Sequence, residues 1–121
     1  MKILVVDDSK AMRMIVIRTL KQTGIGTFQT VEANNGAEAL AMIPEQKPDL
    51  VLSDWNMPEM KGIDFLKKLR ADGNETLFGF VTSECSAEVK KEAEDYGAAF
   101  FIVKPFTPNA FEAALTPVLA H

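Results

Sequence analysis

The stretch Leu50-Val51-Leu52-Ser53-Asp54-Trp55-Asn56-Met57-Pro58 constrains this chain more than any other. Its apolar run shows no alternation, so it reads as a strand buried on both faces, as in a parallel sheet covered by helices. The run stops at a carboxylate, and Pro58 rules out simple continuation as strand or helix. Taken by itself, Asp54 needs no role beyond closing a turn. Its place matters because open α/β sheets take their ligands in the crevice beyond the carboxyl ends of central strands.

The pattern recurs. Ile3-Leu4-Val5-Val6 ends in Asp7 and Asp8, Leu77 to Val81 leads into Thr82, and Ala99 to Val103 leads into Lys104-Pro105. Phe28 to Ala33 is a further short strand, followed by the turn signal Asn34-Asn35-Gly36. Helical spacing fills the gaps. After a Ser9 cap, Met12, Ile15, Val16, Thr19 and Leu20 share one face, and Gly24 and Gly26 end the helix. Ala37 to Ile43 reads as a brief helix closed by Pro44, and Ile63, Leu66 and Leu69 line a helix ending near Asp72. Ser86 opens a Lys- and Glu-rich helix with a thin inner face of Val89, Ala93 and Tyr96. Thr107-Pro108 is an N-cap with Pro at the first helical position, and Phe111, Leu115, Val118 and Leu119 line the helix it starts, with Pro117 as a site for a kink. Five strands alternating with five helices predict an α/β fold: a five-stranded parallel sheet with helices on both faces and right-handed crossovers.

Residues 1–121 read as one domain. A net charge of −4 argues against nucleic acid as a partner, which calls for a basic patch. No apolar run nears the ~20 residues of a membrane span. The start at Met1 has no signal-peptide pattern, and the one cysteine, Cys85, excludes an internal disulfide. Cytoplasmic placement is the expectation.

The strand ends carry the chemistry. Asp7, Asp8, Asp54, Thr82 and Lys104 would converge on one crevice. Three carboxylates that close repel one another, so a cation belongs among them. An oxygen-only set with few protein ligands suits Mg²⁺ (or Mn²⁺), and the lack of an accompanying His or Cys disfavours zinc and copper. With Asp7 and Asp8 on the metal, Asp54 is free to attack phosphorus as a carboxylate nucleophile, with Lys104 and Thr82 neutralising the phosphoryl oxygens.

Along essentially its whole length the chain resembles the receiver domains of two-component response regulators. The features that carry this are Val5-Val6-Asp7-Asp8-Ser9, Asp54 followed by Met57-Pro58 and Gly62, Val81-Thr82, and Lys104-Pro105-Phe106. Ser53-Asp54-Trp55-Asn56-Met57-Pro58 and Leu69-Arg70-Ala71-Asp72-Gly73 look closest to the single-domain chemotaxis regulators. The resemblance implies a flavodoxin-like (βα)5 fold with strand order 2-1-3-4-5 and a cis Lys104-Pro105 bond. It implies Asp54 as phosphoacceptor, and Mg²⁺ on Asp8, Asp54 and the backbone carbonyl of Asn56, with Asp7 acting through water.

The same resemblance makes a sensor histidine kinase the phosphodonor and Thr82 and Phe101 the switch, Thr82 moving toward the phosphoryl group as the ring turns inward. The surface of the fourth helix, fifth strand and fifth helix would meet the partner, with the flagellar motor switch as leading target, and the protein would be a monomer. Asn56 and Glu84 would set the phosphate lifetime. The chain is expected to turn over no separate substrate. A shuttle or phosphate sink in a phosphorelay is the alternative within this class. Outside it stands a phosphoaspartyl-type phosphatase, which wants Asp-x-Asp after its first strand and a capping module that this chain has no room for.

Three positions depart from the chemotaxis regulators. Phe101 stands in place of Tyr, so the switch would run on burial of the ring alone. Lys61 occupies a position where an acid is common, and Phe100 replaces a small residue beside the switch.

Overall fold

The structure, a computed structural model, describes residues 1–119. Five strands and five helices alternate as predicted: β1 (Lys2–Val6), α1 (Lys10–Lys21), β2 (Gln29–Ala33), α2 (Gly36–Gln46), β3 (Leu50–Ser53), α3 (Gly62–Ala71), β4 (Leu77–Thr82), α4 (Ala87–Asp95), β5 (Phe100–Val103) and α5 (Pro108–Leu119). All strand pairs are parallel, in the order β2-β1-β3-β4-β5. This is the flavodoxin-like arrangement. No helix among the described residues is long and apolar enough to cross a membrane.

Period-two alternation divides the core between the two faces of the sheet. Leu4, Val6, Val51, Phe78 and Phe80 point to the face covered by Ile43, Phe65, Leu66 and Leu69 of α2 and α3. Ile3, Val5, Leu50, Leu52, Val81 and Ile102 point to the face covered by Val16 and Leu20 of α1 and Phe111 and Leu115 of α5. Burial on both faces is why the central strands contain no polar alternation.

Helix starts follow the expected caps. Ser9 Oγ accepts from Met12 N, Ser86 Oγ from Val89 N and Thr107 Oγ1 from Ala110 N. The Asn34-Asn35-Gly36 signal is also a cap, since Asn35 Oδ1 accepts from Glu38 N at 2.8 Å.

Several boundaries move. Pro44 does not close α2 but lies inside it, because losing one N–H does not stop Lys47 N bonding to Ile43 O at 2.9 Å across the proline. The helix ends instead at Lys47, in the left-handed conformation at φ 45°. α1 stops at Lys21, before either glycine.

α4 is attached differently from the other helices. Ala93 is its one buried residue, and Tyr96 is exposed at the C-cap rather than packed inward. Charge supplies much of the attachment. Lys67 of α3 pairs with Glu92 at 3.0 Å and lies 5.0 Å over the Tyr96 ring. Arg70 donates to the Tyr96 and Gly97 carbonyls, each at 3.1 Å. The hydrogen bond to Glu92 holds the Lys67 ammonium above its ordinary pKa, and burial lowers that of Arg70.

Candidate functional site

The carboxyl ends of β1 and β3 lie side by side, since Val6 pairs with Ser53 and Asp54 N donates to Val6 O at 2.9 Å. This register brings Asp7, Asp8 and Asp54 together, each able to offer a carboxylate oxygen within 4.8 Å of the others. Lys104 reaches in from the end of β5, its Nζ 3.1 Å from Asp7 Oδ2 and 3.3 Å from Asp54 Oδ2. The peptide bond after it, Lys104-Pro105, is cis, as the resemblance implied. One ammonium thus spans two of the three carboxylates.

The three acids are held to different degrees. Asp7 is buried and fixed on every side: its N–H donates to Ala33 O, Ser9 N donates to its Oδ1, and its carbonyl accepts from Arg13 Nη1 at 2.7 Å. Asp54 is half-buried, with Oδ1 accepting from Trp55 N at 2.7 Å. Asp8 is exposed. The result is a rigid floor of two acids with a freer third at the mouth.

Gly62 explains its own presence in the motif. A Cβ there would collide with the Asp54 carbonyl oxygen and come within 2.9 Å of Ser53 Oγ and the Phe80 ring. Only a bare backbone lets α3 start beneath the Asp54 loop, where Gly62 N donates to Trp55 O at 2.9 Å.

Thr82 ends β4, and its buried hydroxyl accepts from Glu84 N at 3.2 Å. Asn56 and Glu84 meet across the site, Asn56 Nδ2 donating to Glu84 Oε1 at 2.7 Å. Phe101 lies outside the acidic cluster. Its half-buried ring packs 6.0 Å from Phe80, which stands 5.0 Å from Trp55. Burial is not the only force on it, because Lys90 Nζ lies 5.9 Å over its ring. Phe100, next to Phe101 in the chain, turns its ring to the opposite face of the sheet and covers Gly79, where a Cβ would overlap it. Lys61 is exposed and caps α3 without a side-chain hydrogen bond.

The sequence reading passed over Arg13 and misplaced Ile15. Arg13 is only 7% exposed, a buried cation behind the acidic cluster. The signal for it was a charge on the inward side of an amphipathic helix. Ile15, expected inside, is exposed beside an apolar groove of about 340 Å³ lined by Met12, Ile15, Lys104, Pro105 and Phe106.

An acidic cluster at the switch point of a 2-1-3-4-5 sheet, bridged by a lysine from the last strand, is the arrangement of a receiver domain. The chain belongs to the response regulator receiver domain family, which it matches over residues 3–116. It is 41% identical over 120 residues to chemotaxis protein CheY-3 of Vibrio cholerae, covering 98% of this chain and 91% of that protein. Chemotaxis protein CheY1 of Helicobacter pylori is likewise 41% identical over 122 residues, covering 98% of this chain and 97% of that one. Among solved structures, Vibrio cholerae chemotaxis protein CheY4 superposes with a TM-score of 0.84 at 37% identity over 97% of each chain. A receiver domain is a signalling module rather than a turnover enzyme, and its partner class is the histidine kinases.

The donor set fits the receiver-domain magnesium site: oxygen ligands only, three of them carboxylates, close together and reachable from solvent through Asp8.

Proposed function

We propose that this chain is a phosphorylation-dependent switch that takes a phosphoryl group from a sensor histidine kinase onto Asp54 and thereby controls binding to a partner protein in chemotaxis. The observation that carries the reading is the Lys104 ammonium, poised 3.1 Å from Asp7 and 3.3 Å from Asp54 within a three-carboxylate cluster. The Asp54 Oδ2 atom attacks phosphorus, and the bond from phosphorus to the donor imidazole nitrogen breaks with its electron pair returning to the ring. Lys104 turns from the carboxylates to a phosphoryl oxygen, and the Thr82 hydroxyl donates to another. Asp8, Asp54 and the Asn56 carbonyl would hold Mg²⁺, with Asp7 acting through water; when bound, the ion screens the carboxylates and the charge on the phosphoryl oxygens. The relatives' names support chemotaxis as the setting; the flagellar motor switch, met through α4, β5 and α5, is the partner in this reading.

The test is incubation with Mg²⁺ and a small phosphodonor, followed by intact-mass measurement. The expected result is one added phosphoryl group; an unchanged mass refutes the reading.

Magnesium alone should raise the melting temperature, because it binds the folded state only. At a hundred-fold excess over Kd the gain is about 2.7 kcal/mol. Asp8→Ala should abolish most of the shift, and a wild-type melt indifferent to saturating Mg²⁺ would count against the metal site.

Asn56 and Glu84, which are hydrogen-bonded to each other at 2.7 Å, are the residues that set the phosphate lifetime in this reading. Asn56→Arg should slow phosphate loss, since a bulky cation there obstructs water and pairs with the phosphoryl charge. Decay curves that coincide for wild type, Asn56→Arg and Glu84→Ala would remove both residues from a role in lifetime.

A further inference from the structure

We propose that Arg13 is the positioning residue of the metal-binding turn. The inference rests on the reading of Asp7, Asp8 and Asp54 as a magnesium site. Arg13 stands on the first turn of α1, five residues after Asp8, with its side chain 9% exposed. Its guanidinium makes three directed contacts. Nη1 donates to the Asp7 carbonyl at 2.7 Å and to Asn34 Oδ1 at 2.9 Å, and Nε donates to Glu32 Oε1 at 2.9 Å.

These contacts join three pieces of chain that meet at the site. Asp7 begins the turn after β1, Glu32 lies on β2, and Asn34 follows β2 and bonds onward to Glu38 of α2 at 3.2 Å. Arg13 therefore anchors the Asp7–Asp8 turn to the neighbouring strand through the main chain of Asp7, leaving both Asp7 carboxylate oxygens free for Ser9 and Lys104.

Two roles for such a cation predict opposite signs. As a charge, Arg13 lies behind an acidic cluster and repels any metal there, so its removal tightens binding. As an anchor, its removal lets the turn relax and weakens binding. The ion pair with Glu32 offsets its charge, while the planar fork fixes geometry that a compact ammonium cannot reproduce. The geometry points to the anchor.

Magnesium affinity, followed by Trp55 fluorescence and calorimetry well below the melting temperature, separates the roles in wild type, Arg13→Met, Arg13→Lys and Asn34→Ala. Arg13→Met should weaken binding about ten-fold, as loss of a partner that orients metal ligands does. Arg13→Lys should fail to rescue it. Asn34→Ala, an exposed change that spares the fold, should give a smaller loss in the same direction.

Folded Arg13→Met that binds as wild type does, or more tightly, overturns the inference, as does full rescue by lysine. If the Arg13 variants do not fold, wild-type affinity in Asn34→Ala overturns it. A wild-type protein that binds no Mg²⁺ overturns the metal-site reading along with it, whereas normal wild-type binding with unaffected variants overturns the role of Arg13 alone.

Discussion

Asp54→Asn should abolish phosphate uptake from a small phosphodonor in a protein that still folds. The proposed nucleophile is a carboxylate oxygen, and an amide oxygen of the same shape lacks the charge to attack phosphorus. The rest of the site tolerates the exchange. Asn can still accept from Trp55 N, which Asp54 Oδ1 does at 2.7 Å, and Lys104 keeps Asp7 at 3.1 Å. Two electrostatic changes oppose each other: Lys104 loses one partner, and the Asp7–Asp8 pair loses a repelling neighbour. The metal-free melting temperature should therefore move little, while the rise caused by Mg²⁺ shrinks. Intact-mass spectrometry with Mg²⁺ and phosphodonor checks this directly. Equal uptake in the mutant would place the acceptor elsewhere, and a mutant that cannot fold would show that Asp54 serves structure first.

The sheet was legible because its central strands are buried on both faces. Runs such as Ile3–Val6 and Leu50–Leu52 admit no reading as half-exposed strands, and the carboxylates just past them, Asp7 and Asp54, mark the sheet edge where ligands bind. Asp7, Asp8, Asp54 and Lys104, which the structure brings together, lie at strand ends that this rule marks without their contacts. Strand order came with the family resemblance, since five strands with helical crossovers permit other orders.

What remained hidden depends on contacts that residue type alone does not announce. Pro44 looked like a stop because the bond spanning it, Lys47 N to Ile43 O, cannot be read from the residue types alone. Ile15 fits the inward spacing, but it lies at a groove that the loop after β5 only partly closes. Arg13 and Lys90 escaped notice for one reason: a cation on a helix is by default a solvated one. Each is recruited by an element distant in sequence, Arg13 by β2 and Lys90 by β5.

Lys90 alters the expectation for Phe101 without removing it. The ring is half-buried against Phe80, so its contact with the core is incomplete. Fully burying a Phe is worth roughly 1.5–3 kcal/mol, and the part still available can drive it inward. The Lys90 ammonium over the ring opposes that motion by about 0.5–1 kcal/mol, the size of an exposed cation–π contact. Neither exceeds the few kcal/mol that separate two populated conformers, so together they can set the balance between them. Through Phe80 the ring is also in packing contact with Trp55, the residue next to Asp54.

Phe101→Ala should therefore leave phosphate uptake at Asp54 nearly normal yet remove most of the phosphate-induced gain in affinity for the proposed partner. Stability should fall by about 2 kcal/mol, roughly half the ~3–5 kcal/mol of a fully buried Phe→Ala change. Two measurements decide it: the melting transition, and partner affinity with and without phosphodonor. Lys90→Met supplies the second arm, since freeing the ring from its tether should strengthen partner binding before any phosphate is added. If Phe101→Ala melts far earlier while the phosphate-induced gain survives, the ring belongs to the core and the switch lies elsewhere.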